Sequence, residues 1–155
     1  MGRVRENIIV AGQSFWALFD TGATNTYVVE EVSSLLPTFP MARTRPVALA
    51  GRVHQVEQGC ILSCEIKGFS VEVHAWVLPE IGVDEQGKRI EILFGALAMQ
   101  QWGIAPIPKE ERLDMTHYPW EFVEFCETQR ETVILSPQTK NPYLGLQGLF
   151  GRTSI

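Results

Sequence analysis

Asp20 sits where a charge is costly. It closes the apolar run Trp16-Ala17-Leu18-Phe19 and is followed by Thr21, Gly22, Ala23 and Thr24. A carboxylate at an apolar strand end must reach water, find hydrogen-bond donors or share a proton, because an isolated buried charge is expensive to ionise. Thr21 and Gly22 supply the means. A hydroxyl beside the carboxylate can bond backbone groups across a tight turn, and a residue without Cβ lets another segment or a substrate come close. Taken alone, the triplet also fits a plain strand ending in an Asx-type turn.

The rest of the composition narrows the classes of function. At 155 residues the chain fits one domain, able to bury about two-thirds of its unfolded surface. Its 45% hydrophobic and 20% charged residues are ordinary for a soluble globular protein. No apolar run approaches the roughly 18 to 20 residues of a membrane span, so no membrane partner is expected. Met1 to Asn7 runs directly into a strand-like segment without a leader pattern. A net charge of −5 argues against nucleic acid as a partner. Cys60, Cys64 and Cys126 are an odd count, and Cys60, Leu62 and Cys64 share one strand face, which reads as buried thiols in a reducing, cytoplasmic setting. His54, His74 and His117 are scattered without ligand pairing, so neither a metal nor a cofactor is expected.

Several elements must hold Asp20 in place. Arg3 to Val10 and Phe15 to Phe19 read as a hairpin turned by Ala11-Gly12-Gln13-Ser14 that delivers the carboxylate. Thr26 to Val29 reads as a strand, Glu30 to Leu36 as one or two helical turns stopped by Pro37, and Pro37 to Arg45 as a connector. Pro46 to Gly59 suggests two short strands about a Gly51 turn, with small residues at Ala48 and Ala50. Cys60 to Ile66 and Phe69 to Leu78 flank Lys67-Gly68, and the alternation of Phe69, Val71, Val73, Ala75 and Val77 marks a half-buried antiparallel hairpin. Gly82 to Arg89 reads as a polar loop in solvent. Ile90 to Phe94 is a strand passing the Asp20 loop, Ala96 to Gln101 a short helix ended by Gly103, and Leu113 to Met115 and Glu121 to Phe125 two final strands.

Asp20-Thr21-Gly22-Ala23-Thr24 between two apolar runs resembles the retropepsin family of aspartic peptidases. A second stretch, Ile92-Leu93-Phe94-Gly95 leading into a short helix that closes at Gly103, has the form of that family's second motif, and the spacing leaves room for a flap hairpin. The resemblance covers about Ile8 to Phe125. It implies a mainly β fold, a retropepsin-like closed β-barrel with one short helix toward the C-terminal side, over residues 1–125. Residues 126–155 then form an extension, apolar enough to pack on the domain or on a partner subunit.

The resemblance also implies a function, an aspartic endopeptidase. Such enzymes use two carboxylates and one water, one carboxylate taking a proton from the water while the other donates to the carbonyl oxygen. Asp84 and Asp114, the other aspartates, lack a following Thr-Gly, so the second Asp20 comes from a second copy in a two-fold homodimer. Asp20 is then the acid or base, Thr21 braces the partner loop, and Gly22 offers its carbonyl to a peptide substrate. Leu18, Ala23, Thr24, Leu93 and Phe94, with Leu49, Ala50, Gly51 and Val53 from the flap, would contact bulky apolar side chains of the substrate. Ala23 stands where pepsin-like enzymes often carry a hydroxyl; its absence removes one stabiliser of the ionised form and implies activity nearer neutral pH. Thr24 and Ala96 replace the acidic residue and the Arg that viral members commonly pair, which suits a cellular or prokaryotic member better. The competing function is a non-catalytic module of the same fold that holds an extended peptide or serves dimerisation.

Overall fold

The structure, a computed structural model, describes Gly2 to Glu124. β1 (Arg3–Val10) and β2 (Gln13–Asp20) form the first hairpin. The turn is two residues, not the expected Ala11 to Ser14, because Ala11 and Gly12 both take positive φ, the conformation that matches the natural twist of a two-residue hairpin, and Gln13 and Ser14 already pair with Val10 and Ile9. With the turn placed there the register is fixed, and Arg3 stands opposite Asp20. β3 (Tyr27–Val29) follows, then a single helical turn, α1 (Glu30–Ser33).

β4 (Thr38–Leu49) and β5 (Arg52–Ile66) form a long hairpin, turning at Ala50 and Gly51. β4 includes most of Pro37 to Arg45, the expected connector. The prolines are tolerated because β4 is the last strand of the sheet, where one edge needs no ladder bonds. The ladder is broken midway: Pro40 faces Gln58 but Arg45 faces Val56, so Met41 to Thr44 bulge out of register. β6 (Phe69–Leu78) pairs with β5 across a Lys67-Gly68 turn of the same positive-φ kind.

The expected solvent loop at Gly82 to Arg89 is a small hairpin of β7 (Gly82–Val83) and β8 (Arg89–Ile90). It folds back on the body through Asp84, whose carboxylate accepts from Trp16 Nε1 at 2.9 Å and from the Gln86 and Lys88 amides. β9 (Ile92–Phe94) runs parallel to β2 and antiparallel to β3, and α2 (Ala96–Gln101) follows it. β10 (Ala105–Ile107) and β11 (Arg112–Asp114) pair as a separate ribbon. The compact unit ends at Pro119. Trp120 to Glu124 carry no strand or helix, so the strand expected at Glu121 is not formed there, and its end at Phe125 lies outside the described residues, as do Cys126 and the 126–155 extension.

The class is mainly β, with a seven-stranded sheet ordered β1-β2-β9-β3-β6-β5-β4. β4 stops pairing at Cys60, which leaves the outer edge of β5 free at Glu65 for Ile9 of β1. The sheet's return onto itself is confined to that pair, short of the continuous ladder of the expected closed barrel. The core gathers Ile8, Val10, Phe19, Val28, Leu62, Ile66, Ile92 and Phe94, all fully buried. Phe19 and Phe94 meet with ring centroids 4.9 Å apart, an arrangement that adds about 0.5–1.5 kcal/mol beyond area burial.

Cys60 and Cys64 lie in this core as free thiols. Burial among apolar side chains pushes Cys60 up to about 11 and Cys64 up to about 12, from an ordinary 9.0. Below that ordinary value both states are protonated and the stability is fully present. As pH climbs through it toward the folded values, the unfolded chain ionises first and stability falls. In a Cys126→Ser background, a thiol reagent at pH 8 should label no cysteine in the native protein and two after denaturation. Rapid native labelling would contradict this packing.

Candidate active site

The Asp20 loop is built from three directions. β2 brings the carboxylate to the end of a buried strand, leaving Asp20 7% exposed. Both oxygens are held: Oδ1 accepts from the Gly22 amide at 2.8 Å and Oδ2 from Arg3 Nε at 2.9 Å. Arg3 reaches it because cross-strand partners in an antiparallel pair project to the same face. The Thr21 hydroxyl accepts from the Gly2 amide at 2.9 Å and donates to the Gly2 carbonyl at 3.3 Å, which also accepts from the Thr21 amide at 3.0 Å.

The second motif clasps the same loop from the other side. The Ala96 amide donates to the Ala23 carbonyl at 2.7 Å, the Leu97 amide to the Thr24 carbonyl at 3.2 Å, and the Gly95 amide to the buried Thr26 hydroxyl at 3.1 Å. The Thr26 carbonyl accepts from the Trp76 amide at 2.9 Å, tying the loop to β6 as well. Gly95 permits this approach, since a Cβ there would lie 2.2 Å from the Asn25 carbonyl oxygen. The close packing at Gly95 is therefore against Thr24 and Asn25, a few residues beyond the triplet.

A cleft of about 580 Å³ opens in front of Asp20, between its loop and the Arg45 to Leu49 segment of β4. Of the residues expected there, Gly22, Ala23, Thr24, Leu49 and Leu93 line it with Asp20. Phe94 does not, because it points into the core against Phe19. Leu18 is half-buried against the core, outside the cleft lining. Ala50 lines a second hollow of about 300 Å³ beside Ile81 and Gly82, while Gly51 and Val53 line neither, Val53 being 69% exposed. Thr21 also stays off the lining, engaged with Gly2.

Sequence reasoning missed Arg3, Tyr27, Arg45 and Trp76, all of which line the cleft. Tyr27 and Trp76 are register partners on adjacent parallel strands and meet edge to face at 5.7 Å. Arg3 was within reach of the sequence, since a two-residue turn at Ala11-Gly12 places it opposite Asp20. Arg45 and Trp76 had no such local signal. Among the described residues no group of three or more His, Cys, Asp or Glu could hold a metal ion.

Residues 7–97, more than half of the chain, match the family model described as aspartyl protease. No curated protein matches the sequence. Among solved structures, the chain is similar to the retroviral protease-like domain of Ddi1 from Leishmania major, at 13% identity and a TM-score of 0.52, covering 76% of this chain and 90% of that one. It is also similar to the EIAV protease complexed with the inhibitor HBY-793, at 17% identity and a TM-score of 0.44, covering 68% and 92%. The chain belongs to the retropepsin-like aspartic protease family.

The clasp on the Asp20 loop predicts the behaviour of Gly95. Gly95→Ala should destabilise the protein by about 3 kcal/mol, as overpacking against an unyielding backbone does. Urea denaturation checks it, and an unchanged midpoint would mean that the loop relaxes freely.

Proposed function

We propose that the chain is one half of a homodimeric aspartic endopeptidase, working in the cytoplasm, where thiols such as Cys60 and Cys64 stay reduced. One observation carries this reading: a nearly buried carboxylate, backed by a glycine amide, faces a cleft open to solvent, and its own chain brings no second aspartate to it. Asp84 is engaged with Trp16 and its own loop, and Asp114 with Thr116.

In a two-fold pair the two Asp20 carboxyls would lie close enough that both cannot easily ionise, so they share a proton. A water between them loses a proton to one while the other donates to the peptide carbonyl oxygen, and the resulting tetrahedral species collapses with protonation of the leaving amine. Gly22, Ala23 and Thr24 flank the carboxylate along the cleft, where an extended peptide would run. Arg3 on Oδ2 and Gly2 on Thr21 occupy the groups that such a pairing needs, which is the observation favouring the second reading, a peptide-holding or dimerising module without catalysis.

Asp20→Asn separates the two. It keeps the shape and removes the ionisable group, so peptide hydrolysis should drop to background, a loss of at least about a thousandfold, with the fold and any dimer intact. Cleavage that survives the change rules out the peptidase. Wild-type specific activity should also fall on dilution as the dimer dissociates, followed in parallel by sedimentation. Activity independent of concentration in a protein that sediments as a monomer would remove the shared dyad.

A further inference from the structure

The protein as a whole is acidic, with 18 Asp and Glu against 13 Lys and Arg, yet the cleft is not. Its charged groups are Asp20, Arg3 and Arg45, and the first two neutralise each other at 2.9 Å. Arg45 is left over. It is exposed, lines the cleft, and has no acidic partner among the described residues. Its cross-strand partner is Val56, which is fully buried and offers it nothing. Arg45 is also where the flap ladder resumes after the bulge, four residues or about 13 Å of strand from Leu49 near the tip.

β4 is the edge of the sheet, and its Arg45 to Leu49 segment forms one wall of the cleft. An edge is where an extended peptide can add as a further strand, taking main-chain bonds from the protein and placing alternate side chains against its wall. Pro46 gives up one such bond and so belongs on an edge. Elsewhere in the lining, Tyr27 and Trp76 contribute aromatic surface.

We propose that Arg45 makes this cleft select peptides carrying an acidic side chain, set toward the base of the flap and away from the bond that faces Asp20. This specificity rests on the reading of the cleft as a peptide groove. Apolar lining residues such as Val47, Leu49 and Leu93 contribute contact area without discriminating charge. The contribution of an exposed pair is modest, about fivefold in affinity, and is weakened by salt.

The test uses the full chain carrying Asp20→Asn and a set of fluorescent peptides that differ only in having Glu, Gln or Lys at one scanned position. Binding is followed by anisotropy. Because Arg3 loses its partner in this variant, the readout is dependence on Arg45, compared with the same protein also carrying Arg45→Glu. The expected result is one position at which Glu binds about fivefold tighter than Gln and Lys weaker, with the order inverted by Arg45→Glu. No peptide binding, no charge discrimination, or discrimination that Arg45→Glu leaves in place would overturn it. Wild-type protein incubated with the same peptides separates this from the peptidase reading. Cleavage without charge preference overturns the specificity alone, whereas Arg45-dependent binding without any cleavage supports the specificity and counts against catalysis.

Discussion

The site depends on one close approach of two backbones. Gly95 lets the start of α2 come within bonding distance of the loop after Asp20, and three amides in succession, from Gly95, Ala96 and Leu97, are satisfied by Thr26, Ala23 and Thr24. The loop that follows Asp20 leaves the ladder of the sheet, and its backbone polar groups must still be paired. The helix start solves both sides of this accounting, since its first amides have no partners within the helix. The parallel pairing of β2 with β9 then sets the height at which clasp and carboxylate meet, with Phe19 beside Phe94 underneath.

On its other flank the loop is tied to the beginning of the chain. Gly2 satisfies the Thr21 hydroxyl and amide, and Arg3 satisfies one oxygen of Asp20. A single subunit thus leaves none of these groups idle. A partner loop that engaged Thr21 would replace bonds already made, and exchanging one set of hydrogen bonds for another yields little net free energy. The driving force for a pair would then have to come from other surfaces.

Much of this was legible in the sequence because hairpins with two-residue turns are arithmetic. Once Ala11-Gly12, Ala50-Gly51 and Lys67-Gly68 are taken as turns, the pairings of Arg3 with Asp20, Ala48 with Val53 and Ile66 with Phe69 follow. The two motifs placed the carboxylate and its clasp for the same reason, as each is local in the chain. What escaped depended on neighbours far along the chain. Pro37 to Arg45 read as a connector because prolines argue against strands, and only the position of β4 at the sheet edge admits them. Phe94 looked like a pocket residue, although alternation along β9 turns it inward while Leu93 faces the cleft. Trp76 and Arg45 lie 56 and 25 residues beyond Asp20 in the sequence and reach the cleft only through the strand order.

The bulge in the β4–β5 hairpin bears on how this chain can vary. The register of the outer part of this hairpin is set from the tip, by Ala50-Gly51, and that of its base by the pairing of Thr38 to Pro40 with Gln58 to Cys60. Met41 to Thr44 join two ladders that are fixed independently and have no partners in β5 themselves. Their number is therefore free of both registers. Residues can be gained or lost there without turning any side chain of the hairpin to the opposite face, which a single insertion anywhere in the paired parts of β4 would do.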